Sequence, residues 1–276
     1  LLVEPIRRDL ELTDTGISLL MGFAFAIFYV TMGVPIARLL DSRSRKKIIA
    51  IGMTLWSIAT VTCGLARNFW QLFVARIAVG VGEATLTPAA YSMIADTFPA
   101  HRLGRAIAVY STGIYVGAGL AGVLGGWAVK VISEAGTVEL PIIGTLFPWQ
   151  MTFIVVGLPG LLLVAIMLAT TREPIRKNIK TATDGTAVPF SEVISFLWLN
   201  KRTFRAIFIA YAFSGTAFYG FLSWIPEYIR RTHDWDIGSA GILFGSIYAV
   251  FGTAGTLTGG WINDWMTGKG YQDAAL

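Results

Sequence analysis

Two opposite charges, Arg76 and Glu83, stand seven residues apart in the apolar run FWQLFVARIAVGVGEATLTPAAYSMIADTF, residues 69–98. Two helical turns bring positions at that spacing to one face. Neither charge can face lipid cheaply, so each is expected to line a cavity or a polar relay. Three chemistries fit. A guanidinium can receive a phosphate or carboxylate head group as a bidentate fork. A carboxylate can exchange a proton as a substrate anion captures the arginine. A static buried ion pair would fix packing alone.

Other chemistries find no support in the residues. The sequence lacks G-x-S-x-G, H-E-x-x-H and the phosphate-binding G-x-x-x-x-G-K-[ST] pattern, so no catalytic residue, cofactor site or ATPase is expected. His101 and His233 fall in expected loops far apart in sequence, and Cys63 is alone in an apolar helix, so no metal site is expected.

The elements that must position Arg76 and Glu83 are membrane helices. Of 276 residues, 54% are hydrophobic and 14% are charged, against about 25% charge in soluble domains. Spans are expected at residues 15–37, 48–66, 69–95, 106–131, 149–170, 203–225 and 238–262. Thr13 or Asp14 is expected to cap the first and Pro88 to bend the third. Pro159 is expected to kink the fifth span, and residues 133–147 to form a loop. Gly113, Gly117, Gly119, Gly122, Gly125 and Gly126 suit close helix approach in the fourth. Residues 171–202 break the pattern, as a basic connector followed by an amphipathic helix at Phe190–Leu199 on the membrane surface. This gives an expected division into a bundle at 1–170, a connector at 171–202 and the start of a second bundle at 203–276.

Basic residues set the orientation. Alternating spans put fifteen of the 22 Lys and Arg on one side and six on the other, with Arg76 inside the membrane. The richer side, which holds the connector, is expected to be cytoplasmic. The net charge of +5 is thereby a topology signal, and no nucleic-acid partner is expected.

The chain also repeats itself. IRRDLELTDTGISLLMG from Ile6 aligns with IRRTHDWDIGSAGILFG from Ile229 at an offset of 223 residues. The offset places Arg7-Arg8 on Arg230-Arg231, Gly22 on Gly245 and Asp41 on Asp264. Repeated halves are a common transporter plan. The symmetry predicts a twelve-span parent, with one span before this chain and four after it.

ARLLDSRSRKK, residues 37–47, is similar to the signature loop between the second and third spans of the major facilitator superfamily. GGWIND, residues 259–264, repeats it weakly. ARIAVGVGEATLTPAAYSMIADTFP, residues 75–99, resembles the fourth helix of Spinster-like transporters within that superfamily, with Arg76 and Glu83 on the matching positions. The usual loop glycines are replaced by Ala37 and Ser44, and the Gly-rich fourth span lacks the proline of the antiporter signature.

The resemblance implies an all-α polytopic fold of two six-helix bundles, working by alternating access in the bacterial inner (plasma) membrane. It implies an amphiphilic substrate of the lysolipid or sphingoid class, moved with protons and without a cofactor; a monomer is expected. A similar glutamate and alanine pattern occurs in organic-anion and sugar-acid porters, so that substrate class stands as the alternative. A non-transporting receptor or scaffold is more remote. The expected cytoplasmic gate comprises Asp41, Arg43, Arg45, Lys46, Asp96 and Asp264, with Arg45 or Arg43 pairing Asp96. Phe28, Tyr29, Tyr211 and Tyr219 are the candidate cavity aromatics.

Overall fold

The computed structural model describes residues 2–135, 138–140, 144–177 and 189–271. Its described residues contain seven helical segments long and apolar enough to cross a membrane. Such helices satisfy their own backbone groups, which is the requirement lipid imposes. Their apolar side chains stay largely uncovered, as at Val30, Ile51 and Val74.

The chain opens with α1 (Val3–Asp9). A turn then leads into α2 (Asp14–Ser18), capped by the Thr13 side chain, which accepts from the Gly16 amide at 3.1 Å. A π-helical turn, Leu19–Phe23, joins α2 to α3 (Ala24–Ser42). Next come α4 (Arg45–Cys63) and α5 (Phe69–Glu83), the latter capped by Asn68. α6 (Leu86–Thr97) and the long α7 (Ala100–Ala135) follow. After a short hairpin, β1 (Val138–Leu140) and β2 (Gly144–Leu146), comes α8 (Pro148–Thr170). α9 (Phe190–Leu199) and α10 (Lys201–His233) lead to α11 (Ile237–Ile247). A second π-helical turn, Tyr248–Gly252, continues into α12 (Thr253–Gly268).

The structure corrects several expected boundaries. The span expected at 69–95 is one span, Phe69–Thr97, in which the bend expected from Pro88 appears as a break at Ala84 and Thr85. Pro88 lies four residues after Ala84 and lacks the amide that the Ala84 carbonyl would need, so the break falls one turn before the proline. The span expected to end near Pro226 runs on through it to His233. The loop expected at 133–147 contains the β1–β2 hairpin, which is held to the α4–α5 turn by Arg67 Nη1 donating to the Thr145 carbonyl at 2.9 Å. Residues 178–188 of the expected connector lie outside the described residues.

The repeat survives as backbone geometry. Glu11 and Asp234, at the same 223-residue offset, both have φ of 52°. The left-handed region is uncommon for side-chain-bearing residues, so the shared value marks the same turn made twice. Two residues later Thr13 and Asp236 are both helix caps, Asp236 accepting from the Ser239 amide at 2.8 Å. The helix entered at each copy carries one π-helical turn.

Two compact units divide the chain. The first comprises residues 1–175 and 226–276, the second 176–225. Within the first unit α11 and α12 pack along α7. Small residues make that contact: a Cβ on Gly119 would lie 2.7 Å from the Gly245 carbonyl oxygen, and one on Gly122 would lie 2.7 Å from Gly245 Cα. Gly113 and Gly117 face open space instead. Within the same unit α4 packs on α5 and α8, and α3 on α5. Cys63, Leu72, Ile17 and Trp149 are fully buried in the core beneath these contacts. The second unit holds α9 and the part of α10 up to Ile225.

Candidate functional site

Arg76 projects from the middle of α5 and is half-buried. Its Nε and Nη2 make long hydrogen bonds, each 3.4 Å, to the carbonyls of Leu20 and Met21. Both acceptors belong to the first π-helical turn, where the Ala24 amide reaches back to the Leu19 carbonyl. That wider pattern displaces the regular ladder and leaves carbonyls open to a side chain approaching from α5. Such turns recur at functional sites. The Phe25 ring covers the guanidinium, 5.6 Å from its carbon, and stacks on Tyr29 at 5.4 Å. Arg76 also lines a cavity of about 310 Å³ whose other walls are almost wholly apolar, among them Leu20, Leu72, Phe153 and Val156.

Glu83 is the last residue of α5 and is exposed. It makes no direct ion pair or hydrogen bond among the described residues, and it and Arg76 act on each other through charge at longer range. Seven residues of helix separate their backbones by roughly 10 Å. Two glycines beside Glu83 bring α5 close to its neighbours. A Cβ on Gly80 would lie 2.5 Å from the Phe25 carbonyl oxygen, and one on Gly82 would lie 2.8 Å from the Gly52 carbonyl oxygen and the Trp56 amide nitrogen. Backbone therefore meets backbone at Gly80, against α3, and at Gly82, against α4. Just past the helix break, Thr87 Oγ1 is 3.4 Å from the Tyr29 hydroxyl, which ties the α6 side of the break to the Phe25–Tyr29 stack.

The remaining aromatic candidates separate. Phe28 is half-buried on α3. Tyr211 and Tyr219 are 76% and 64% exposed and belong to the second unit.

The basic loop ends in a charge cluster at the start of α4. Arg45, 1% exposed, pairs with Asp96 of α6, 5% exposed, through Nη1 and Oδ2 at 2.5 Å. Nη1 also donates to Ser92 Oγ at 2.9 Å. Nε donates to Glu173 at 2.8 Å, and Nη2 to the Pro174 carbonyl at 3.0 Å. Arg45 is thus an arginine that reaches Asp96, while Arg43 is exposed. Of Lys46, the backbone amide takes part, donating to Glu173 at 2.8 Å; the Ser44 hydroxyl donates to the same carboxylate at 2.8 Å. Glu173 thus caps the N-terminus of α4, where the helix dipole favours an anion. Burial by itself would raise the Glu173 carboxyl, but these donors hold it down at about 2.

Asp41 is exposed at the end of α3. Its repeat mate Asp264 is nearly buried, 3.0 Å from Arg105 Nε, on the α7 surface at Gly104. Asp264 and Arg45 thus sit in separate contacts. Sequence reasoning missed Glu173, whose signal was an acid three residues beyond a span end. It also missed Glu4 and Glu227, which share the 223-residue offset and each precede an arginine pair by three residues.

This architecture defines a multi-pass α-helical membrane protein with a charged residue held inside the helix bundle. The chain belongs to the Major Facilitator Superfamily, whose family model matches residues 1–271. It is similar to a crystal structure of a bacterial homologue of the human lysosomal transporter Spinster, inward-facing and unoccupied. That likeness has a TM-score of 0.74 and 32% identity over 97% of this chain and 58% of the other. An MFS-type efflux pump of Mycolicibacterium smegmatis is 29% identical over 95% of this chain and 57% of its own length. A probable L-galactonate transporter of Escherichia coli is 26% identical over 96% and 57%. Protein spinster homolog 1 of Xenopus tropicalis is 28% identical over 93% and 49%. The chain therefore spans less than two thirds of the length of each of these relatives.

Proposed function

We propose that this chain is part of a secondary active transporter that works by alternating access and moves an amphiphile with an anionic head group. The observation that carries the reading is the setting of Arg76. Its guanidinium is held by two carbonyls and a ring, with no carboxylate within ion-pair distance among the described residues. Carbonyls orient a cation without neutralising it, so Arg76 keeps a full charge for a phosphate or carboxylate. The apolar walls beside it suit the hydrocarbon of a lysolipid or sphingoid substrate. The likeness to Spinster homologues supports that substrate class.

Glu83, exposed at a helix break, is the proposed proton carrier. Asp41, Arg43, Arg45, Lys46, Asp96 and Asp264 are the proposed cytoplasmic gate, in a monomer of the bacterial inner membrane. A second reading, a sugar-acid porter, is supported by relatives named for L-galactonate and for galactarate/D-glucarate transport.

Flux into vesicles reconstituted with full-length protein separates the readings. A lysophospholipid and galactonate are compared at equal concentration, with Arg76→Gln as the control. Arg76-dependent flux of lysophospholipid alone supports the first reading. Arg76-dependent flux of galactonate alone supports the second. Flux unaffected by Arg76→Gln overturns the site.

A further inference from the structure

The second unit contains a pocket of its own. At the junction of α9 and α10 a cavity of about 340 Å³ is walled by Leu197, Trp198, Phe204 and Phe208, with Lys201 and Arg205 among its lining. Trp198 is 70% exposed and Phe208 59%. Aromatic contacts shape the wall: Phe204 meets Phe196 and Phe208 at centroid distances of 5.9 Å each. Lys201 Nζ lies 5.0 Å from the centre of the Trp198 ring.

Two features point to an anionic occupant with a hydrocarbon tail. First, neither Lys201 nor Arg205 pairs with a carboxylate among the described residues. The adjacent Arg202 has no such partner either. Two cations in an apolar pocket without a counter-anion among the described residues suit a phosphate. They stand one turn apart at the start of a 33-residue helix, where the dipole favours negative charge. Second, polarity is graded along the helix. Lys201 and Arg205 lie in the first turns of α10, with Phe204 between them, and Phe208 and Ile209 continue the lining to roughly 12 Å from Lys201 along the axis. A bilayer has that gradient, with head groups at the surface and chains below. A soluble anion would leave the aromatic wall unused.

We propose that the α9–α10 junction binds an anionic phospholipid from the leaflet beside the basic loops. Its phosphate would sit on Lys201 and Arg205, and one acyl chain along Phe204 and Phe208. The amphipathic α9 supplies the lid of the pocket through Leu197 and Trp198.

Tryptophan quenching in vesicles tests this with full-length protein. Phosphatidylglycerol with brominated chains is compared with phosphatidylcholine brominated in the same way. The difference between the parent protein and Trp198→Phe isolates the signal of Trp198. Stronger quenching of Trp198 by the anionic lipid is expected. The double variant Lys201→Gln/Arg205→Gln should weaken that preference by about thirtyfold, since each basic residue near an anionic surface contributes about fivefold. Lys201→Arg/Arg205→Lys should retain it and serves as the folding control. Soluble glycerol phosphate should not displace the lipid. Equal quenching by both lipids overturns the proposal, as does a preference unchanged in the Gln variant. Displacement by glycerol phosphate would make the pocket a free-anion site and also overturn it. No quenching at Trp198 by either lipid would mean that protein covers the pocket, and would overturn it as well.

Discussion

Arg230 Nη2 lies 3.5 Å from the Glu4 carboxylate, joining the two copies of the repeated segment. Each partner is also held within its own copy. Arg7 binds Glu4 at 2.9 and 2.7 Å, and Arg230 binds Glu227 at 3.0 and 2.6 Å. Arg231 bridges further, from Glu227 at 2.6 Å to Asp14 at 3.0 and 3.1 Å. The hydrogen bond from Arg7 is the main reason that the Glu4 carboxyl lies below its ordinary range.

Glu227 is the centre of that network, 2% exposed and shared by two arginines. Glu227→Gln keeps the shape and removes the charge, leaving Arg230 and Arg231 to repel each other. Spin labels at Glu11 and Asp234, both exposed, should show a longer or broader distance distribution in the variant. An unchanged distribution would assign the network to local helix stability alone.

Arg45 and Asp96 make a pair buried on both sides. Breaking a buried pair typically costs about 3–5 kcal/mol, and removal of Asp96 leaves Arg45 only the half-exposed Glu173 as counter-charge. Asp96→Asn should therefore lower the unfolding midpoint in detergent sharply. Arg45→Met/Asp96→Leu/Glu173→Gln should recover part of the loss, because none of the cluster's charges is then left without its partner. Arg43→Gln, at an exposed position, should change stability little.

Glu173 carries a pH dependence with a definite sign. Its carboxyl is held at about 2 in the folded protein, against an ordinary value of 4.5. A carboxylate with a depressed pKa contributes stability above its unfolded value and loses it as pH falls through the folded one. The cap on α4 should therefore be fully formed above about pH 4.5 and lost towards about pH 2. Hydrogen exchange at the first amides of α4 should accelerate across that window relative to the intrinsic rate. Glu173→Gln should flatten the relative change.

Glu83→Gln tests the proposed proton coupling. Flux driven by a pH gradient should fall at least tenfold, while exchange without a gradient persists. Arg76→Gln should impair both, since it removes the proposed head-group contact. An undiminished gradient response in Glu83→Gln would remove this residue from the coupling mechanism.

Sequence alone determined the membrane spans, the repeat and the two charges within the third span. Each is a local or periodic property: apolar length, a 223-residue offset, a residue type where lipid excludes it. Thr13 and Asn68 as caps are equally local, because the bonded amide lies three residues away. Tertiary structure decided who meets whom. Arg76 turned to Leu20 and Met21 because a π-helical turn opened those carbonyls, which no residue type announces. Gly80 and Gly82 let α5 meet α3 and α4 backbone to backbone. Arg45 reached Asp96, and Glu173 closed on Arg45 from 128 residues away. Such contacts depend on helix rotation and crossing, set by where small residues allow backbones to approach. The sum of many weak packing choices is not readable from any one stretch of chain.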